Sequence, residues 1–196
     1  PHKKFTFSRL WILYAFFEIR QDSLNTARTL LGYAIGTCPR AAIFDAYIEI
    51  ESLLGERENV KKLYDQFISL IPNDFRSWVK YAQFEFQLDN IEKARDLFER
   101  AIESHQVEAT DLLWAYYIDF EIQAGNPDNI RNLYRRSIEA NNKLRLWQGL
   151  IYFEAENCAD IDEARKLFNE AELAFAEDRD ERRKLREFRV TFEQEY

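Results

Sequence analysis

One unit recurs along this chain at intervals of 33 to 39 residues, and its clearest copy runs from Trp78 to Ile102. The first half of that copy reads W-x2-Y-A-x2-E. Its motif residues are spaced i, i+3, i+4 and i+7, so they share one face of a helix: Trp78, Tyr81, Ala82 and Glu85. The unit therefore starts with an amphipathic helix that buries one stripe.

The second half of the unit is a second amphipathic helix after a hinge of four residues. Asp89, followed three residues later by Glu92, predicts a capping-box start. Helical spacing continues through Ile91, Ala94, Leu97, Phe98, Ala101 and Ile102. A hinge this short makes the helices antiparallel neighbours, and the small Ala82 and Ala94 allow them to approach where they cross. One pair cannot bury both stripes, so the unit has to stack on its neighbours.

Five copies of the unit fill most of the chain. We predict repeats over residues 9–40, 42–73, 76–105, 112–141 and 145–175, with the first helix of a truncated sixth over 181–196. A glutamate marks the same place in each copy, at intervals of 33, 34, 36, 33 and 39 residues: Glu18, Glu51, Glu85, Glu121, Glu154 and Glu193. The expected fold is all-α, a single right-handed solenoid of antiparallel helix pairs over residues 1–196.

Aromatic and basic residues recur in step with the glutamates. The aromatic place is occupied by Trp11, Trp78, Trp114 and Trp147, with Phe44 in the second copy. The basic place is occupied by Arg28, Lys61, Arg95, Arg131 and Arg165. We expect the tryptophans, with the motif tyrosines and alanines, in the core. A glutamate and a cation recurring together predict a buried ion pair, within one unit or between two. Lys61 lacks the planar fork of arginine, so the pair is not bidentate there.

Composition favours a binding protein over an enzyme. The chain contains no glycine-rich phosphate loop, no G-x-S-x-G and no cysteine beside a histidine. Two histidines and two distant cysteines offer no metal-ligand spacing, so we expect no catalysis, no cofactor and reduced thiols. The apolar runs are too short to span a bilayer, and no membrane contact is expected. The absence of methionine suggests a piece of a longer or processed protein.

The first helices of such repeats line a concave surface, where partners bind. Non-motif positions of these helices are the candidate partner-binding residues: Phe16, Arg20, Gln83, Phe86, Asp119 and Tyr152. Their mixture of aromatic, amide and acidic groups suits a basic or amphipathic peptide better than an RNA backbone. The alternative is that each is simply solvated or packed against a neighbouring helix.

The unit is a variant of the tetratricopeptide pattern W-x2-L-G-x2-Y, A-x3-F, P. With glutamate at the second aromatic place and arginine after the alanine, it resembles the half-a-tetratricopeptide (HAT) repeat of RNA-processing proteins. The stretches PHKKFTF, WILYAFFEIRQ, ARTLLGYAIGTCP and NLYRRSIE resemble the crooked-neck family of pre-mRNA splicing factors. That resemblance implies a nuclear scaffold that joins proteins of the nineteen complex in the spliceosome, with this chain in the later, C-terminal part of the repeat array. Phe44, Lys61 and the missing prolines that should close repeats three to five depart from the pattern.

Two other hypotheses stay open. The chain carries a net charge of −8, which argues against a broad RNA-binding face, but residues 1–40 carry six basic and two acidic groups. Direct contact with spliceosomal RNA would then use Lys3, Lys4, Arg9, Arg20, Arg28 and Arg40. A HAT scaffold of another RNA-processing machine, such as the cleavage stimulation factor, in which these arrays dimerise, would predict self-association.

Overall fold

The structure, a computed structural model, describes residues 7–104 and 111–196, and within these residues every regular element is helical. The chain divides into two compact units, Pro1–Ala109 and Thr110–Tyr196. The helices form antiparallel pairs, which confirms the all-α prediction. The single continuous array over residues 1–196 stays a prediction.

The first unit contains six α-helices in its described residues. They are α1 (Ser8–Arg20), α2 (Leu24–Thr37), α3 (Ala41–Leu53), α4 (Arg57–Leu70), α5 (Phe75–Gln87) and α6 (Ile91–Glu103). Helices α1 and α2, α3 and α4, and α5 and α6 pack as pairs. Successive pairs meet where α2 packs on α3 and α4 packs on α5, and α1 also contacts α3.

The second unit contains five α-helices and one short π-helical segment in its described residues. They are α7 (Asp111–Ala124), α8 (Pro127–Ala140), α9 (Leu144–Tyr152), the π-helical segment (Phe153–Asn157), α10 (Ile161–Ala174) and α11 (Arg179–Glu195). Helices α7 and α8, and α9 and α10, are pairs, while α8 packs on α9 and α10 packs on α11. Helix α11 begins two residues before the predicted start of the sixth unit, because Asp178 caps it through the backbone N–H groups of Asp180 and Glu181.

Small residues sit where the paired helices cross. Ala82 of α5 and Ala94 of α6 are both fully buried, as the motif predicts. Aromatic rings fill the space around such crossings: Phe44 stacks on Phe67 with ring centroids 4.6 Å apart. Arg100 covers the ring of Trp78 at 5.3 Å, a cation–π contact between the two helices of one pair. Each pair is therefore held by apolar burial and ring contacts within itself.

Each hinge places one residue in the left-handed backbone region. These residues are Asp22, Gly55, Asp89, Gly125 and Ala159, with φ between 54° and 77°. In three hinges the backbone N–H five residues after the motif glutamate donates to that glutamate's carbonyl: Ser23 to Glu18, Glu56 to Glu51 and Asn90 to Glu85, each at 2.9 Å. This is the Schellman helix ending, and it closes the first helix of the pair.

The predicted capping role of Asp89 is wrong, because Asp89 is the left-handed hinge residue and the N-cap of α6 is Asn90. Two other caps follow the sequence pattern. The side chain of Asn126 accepts the backbone N–H of Asn129, with Pro127 at the start of α8. The side chain of Asp160 accepts the backbone N–H of Glu163.

The π-helical segment adds one residue to the fifth hinge. The left-handed Ala159 comes five residues after Glu154, whereas Asp22, Gly55, Asp89 and Gly125 come four residues after their glutamates. The closing bond shifts equally, and the N–H of Asp160 donates to the Glu154 carbonyl at 2.9 Å. A π-turn accommodates one inserted residue without moving the residues before it.

Helix α1 buries less of its motif than the other first helices. Tyr14, expected in the core, is 49% exposed, and Trp11 is only half-buried. Trp78, Trp114 and Trp147 are buried. Helix α1 packs on the helices that follow it, α2 and α3, whereas α3 and α5 also pack on a helix that precedes them.

Candidate functional site

Arg28 of α2 and Glu51 of α3 form a bidentate pair across the boundary between two helix pairs. Arg28 donates from Nε to Oε1 and from Nη2 to Oε2, both at 2.7 Å. The Glu51 carboxylate is fully buried, while 28% of the Arg28 side chain is exposed. The sequence left open whether such pairs form within one repeat or between two, and here the pair joins two successive repeats.

The same arrangement recurs at two boundaries of the second unit. Arg131 of α8 donates to both oxygens of Glu154 at 2.6 and 2.9 Å. Arg165 of α10 donates to Glu193 of α11, with Nη2 and Oε2 2.9 Å apart. Glu154 is buried and Glu193 is exposed. The second helix of one pair thus supplies a guanidinium to the first helix of the next.

Lys61 and Glu85 occupy the equivalent places on α4 and α5. The Lys61 ammonium lies 3.9 Å from the Glu85 carboxylate and 3.8 Å from that of Glu58, so neither contact is within hydrogen-bonding distance. The Glu85 side chain is only 3% exposed. The sequence-based expectation that Lys61 does not form a bidentate pair agrees with these distances.

The remaining motif residues have other described contacts. Arg95 pairs with Glu92 on its own helix at 2.5 Å. Glu121 is fully buried and accepts a hydrogen bond from Asn129 at 3.3 Å. Glu18 is half-buried and its carbonyl closes α1.

Sequence reasoning missed the asparagines that complete these sites. Asn59 donates to Glu51 at 2.9 Å, and Asn90 donates to Glu85 at 2.7 Å. Asn59 and Asn129 each follow their glutamate by eight residues, a spacing that could have been found by aligning the copies. An amide donor beside the guanidinium leaves the buried carboxylate with few unsatisfied lone pairs.

The electrostatics fix these groups in their charged forms. Burial alone would raise the pKa of Glu51, but hydrogen bonds from Arg28 and Asn59 outweigh it and the pKa is lowered from its usual 4.5. The hydrogen bond with Glu154 raises the pKa of Arg131 above its already high value. Carboxylates held in this way connect helices and are not free to exchange protons with a substrate.

The predicted partner-binding residues differ in exposure. Phe16, Arg20, Gln83 and Asp119 are exposed, and Phe86 is half-buried. Tyr152 packs on α11, with its ring 5.2 Å from Phe188 and 6.3 Å from Phe192. Partner binding by all six residues stays a prediction, and for Tyr152 the alternative of packing on a neighbouring helix describes its surroundings.

Neither Cys38 nor Cys158 forms a disulfide bond. Among the residues that the structure describes, no helix has the length and apolar character needed to cross a membrane.

The helix pairs stack on one another, and a cation from one pair contacts a buried carboxylate of the next pair. This arrangement defines a helical-repeat protein of the tetratricopeptide type. A family model described as "PRP39 N-terminal HAT repeat" matches residues 43–174. Crooked neck-like protein 1 of Homo sapiens is 39% identical over the whole of this chain, which spans 24% of the human protein. Protein crooked neck of Drosophila melanogaster is 44% identical over 58% of this chain and 16% of its own length.

Pre-mRNA-splicing factor CLF1 of Paracoccidioides brasiliensis is 42% identical over 58% of this chain and 17% of its own length. The chain therefore belongs to the HAT-repeat family, as a homologue of the crooked-neck (CLF1) pre-mRNA splicing factors. A solved structure of pilF from Pseudomonas aeruginosa is 14% identical, with a TM-score of 0.48 over 91% of this chain and 88% of that chain. At that level of likeness the fold assignment rests on the helix pairs themselves.

Proposed function

We propose that this chain is a non-catalytic scaffold segment that binds other proteins of the nineteen complex in the nucleus during pre-mRNA splicing. The observation that carries the proposal is the similarity to a crooked-neck protein along the entire chain. The geometry supports it, because Glu51 and Glu154 are consumed in pairs that join helices. The buried charges hold neighbouring helices together, and the exposed positions of the first helices are available for partner binding.

Affinity capture from nuclear extract tests the scaffold proposal. The 196-residue chain, immobilised as bait, should recover nineteen-complex proteins above the level of a bait carrying Gln83→Arg and Asp119→Arg. Both changes reverse or add charge at exposed positions and leave the core intact. A matched bait carrying Lys80→Ala, a change at an exposed position of α5, should behave as the parent. Recovery of no splicing protein by the parent chain would overturn the proposal.

Direct RNA binding is the second candidate, favoured by the basic balance of residues 1–40. Arg28 is committed to Glu51, which leaves the exposed Arg9, Arg20 and Arg40 among the described candidates. Lys3 and Lys4 lie outside the described residues. If RNA is bound there, its affinity should fall steeply with salt. The absence of binding at low salt would remove this candidate.

The third candidate is a dimerising HAT scaffold of a cleavage factor. A chain that is strictly monomeric in sedimentation would count against it.

A further inference from the structure

A cavity of about 910 Å³ lies beside Glu85, between α4, α5 and the start of α6. We call it the α4–α5 pocket, and Lys61, Asp65, Tyr81 and Glu85 line it. The equivalent cavity in the second unit, lined by Arg131, Arg135, Leu150 and Glu154, has only about 270 Å³. The groove beside Glu85 is thus larger and more open to solvent than the one beside Glu154.

Three substitutions distinguish the two cavities. Lys61, Asp65 and Tyr81 occupy the positions of Arg131, Arg135 and Leu150, counted from the basic and aromatic motif places. The cavity beside Glu154 is therefore lined by two guanidinium groups, of which Arg131 binds Glu154 and Arg135 pairs with Glu170. At the same places, the pocket beside Glu85 is lined by one ammonium and one carboxylate. Counted four residues after the basic motif place, the residues that correspond to Asp65 in the other repeats are Gly32, Glu99, Arg135 and Asn169. An acidic group therefore stands at this place in two of the five repeats.

Glu85 has a weaker cationic partner than its counterparts. The Glu51 and Glu154 carboxylates each accept two hydrogen bonds from one guanidinium, whereas Lys61 stays 3.9 Å from Glu85 and shares its charge with Glu58. Asn90 holds the Glu85 carboxylate in place at 2.7 Å. The pocket thus retains an anchored, buried carboxylate without the forked cation that the same site holds elsewhere in this chain.

The pocket walls suit a planar cation. The lining contains five carboxylates and three lysine ammonium groups, so its net charge is negative. Tyr81 lines the pocket, but it is only 2% exposed and its ring stacks on Tyr64, with centroids 5.1 Å apart. Burial raises the pKa of the Tyr81 hydroxyl, and the neighbouring Asp65 and Glu85 raise it further, so it stays protonated. A guanidinium can bind a carboxylate bidentately, and an ammonium cannot.

We propose that the α4–α5 pocket binds the side chain of an arginine in a basic peptide segment of a protein partner. The incoming guanidinium takes the place beside Glu85 that Arg28 and Arg131 take beside Glu51 and Glu154, and Asp65 supplies a second carboxylate. A nucleic-acid backbone does not fit, because the acidic lining repels phosphate. The proposed scaffold role is needed only to say which machinery the partner belongs to.

An NMR titration of the 196-residue chain tests the proposal. The probes are a short capped Gly-Ser peptide with a central arginine and the same peptide with lysine, and the readout is the backbone amides of Glu85, Asn90 and their neighbours. The arginine peptide should bind at these amides roughly tenfold more tightly than the lysine peptide. Equal affinity for the two peptides, or shifts confined to other residues, would overturn the proposal.

Two variants separate pocket occupancy from loss of structure. Lys61→Arg supplies the chain's own guanidinium to Glu85, so it should keep the fold, with an unchanged or higher unfolding midpoint, and weaken the arginine peptide about tenfold. Arg131→Lys, the matched control, makes the reverse change at Glu154 and should leave the affinity at Glu85 unchanged. Unchanged affinity in Lys61→Arg would overturn the proposal. Arginine-selective binding without any captured splicing protein would overturn the scaffold function and leave the pocket standing.

Discussion

The ion pair between Arg28 and Glu51 stabilises the fold in addition to the burial of apolar surface. Removal of Arg28 leaves a fully buried carboxylate with only Asn59 as its described hydrogen-bond donor. Loss of one partner of a buried pair costs about 3–5 kcal/mol, and partial exposure of Arg28 moves the expectation to the lower end. We therefore expect Arg28→Met to lower the free energy of unfolding by about 3 kcal/mol, measured by urea denaturation.

A surface ion pair at a similar distance provides the control. Lys80 and Asp45 lie 2.6 Å apart, but both side chains are more than 40% exposed. Lys80→Met should cost at most about 1 kcal/mol, because water already solvates both charges. If Arg28→Met costs no more than Lys80→Met, the pairs between repeats are not structural determinants.

The lowered pKa of Glu51 gives stability a defined pH dependence. A carboxyl group with a lower pKa in the folded state binds fewer protons there than in the unfolded state, so it stabilises the fold above its usual pKa of 4.5. That contribution is lost as the pH falls through the folded pKa. The stability difference between the parent chain and Glu51→Gln should be constant above about pH 5.5 and shrink below pH 4.5.

Chemical denaturation at a series of pH values measures this difference. Glu58→Gln is the matched control, because the Glu58 side chain is 79% exposed. Its stability difference from the parent should vary much less over the same range. A difference for Glu51→Gln that grows on acidification would contradict the assigned direction.

At the residue scale, the sequence predicted which groups pair but not how they are oriented. The recurring Glu and Arg identified the partners of Glu51 and Glu154, because burial of a charge requires a counter-charge. The sequence did not show whether the pair forms within one repeat or between two, because the observed spacing is compatible with both. Asn59 was missed because a single asparagine at a helix start is more often a cap. Asp89 was misassigned because left-handed hinge residues and N-caps share the same preference for Asp and Asn.

At the scale of the element, the five left-handed hinge residues determine how sharply each helix pair closes. Gly125 adopts φ 77° without a Cβ, whereas Ala159 adopts φ 54° with one. A Cβ in this region costs about 1–2 kcal/mol. Gly125→Ala should therefore destabilise the chain by about 1 kcal/mol once the lower entropy of the unfolded alanine chain is counted.

The reverse substitution should have the opposite sign. Ala159→Gly relieves the strain at the fifth hinge and should raise the free energy of unfolding by about 0.5–1 kcal/mol. Thermal unfolding of both variants measures the pair of effects. Destabilisation by Ala159→Gly would show that backbone strain at Ala159 is outweighed by the freedom that glycine gives the unfolded chain.

The helices themselves were predictable from periodicity, and their exact ends were not. Asp178 lies in a charged stretch that carries no apolar pattern, so the earlier start of α11 depends on a cap that periodicity does not report. The π-helical segment at Phe153–Asn157 was likewise not predictable from the sequence. One inserted residue lengthens the interval between glutamates, and a linker longer by one residue would lengthen it equally.

At the scale of the whole molecule, most helix contacts join neighbours in sequence, so a local defect should stay local. Phe168 is fully buried against Phe188 and Phe192 of α11. Phe168→Ala should cost about 3–5 kcal/mol locally. Hydrogen exchange should then show strongly reduced protection in α9, α10 and α11, with a smaller loss in α1–α4, because each repeat interacts mainly with adjacent repeats.

Phe44→Ala gives the mirror experiment in the first unit. Phe44 is fully buried and stacks on Phe67, so protection should fall first in α3 and α4. Equal loss of protection in all helices for either variant would mean that the chain unfolds as one cooperative body. The division into two units was not predicted from the sequence, because all five motif copies read alike and no composition shift separates them.

The pairs between repeats have a consequence for anyone who cuts or splices such a chain. The sequence repeat begins with a first helix, but the electrostatically closed module begins with a second helix and ends with the first helix that follows it. The two frames are offset by one helix. A truncation between α2 and α3 would lie at a boundary between sequence repeats, and it would separate Arg28 from the buried Glu51. A cut at the hinge between α3 and α4 would preserve that pair but separate Asn59 from Glu51 and Phe44 from Phe67. A fragment therefore keeps all of these contacts only when it contains α2, α3 and α4 together.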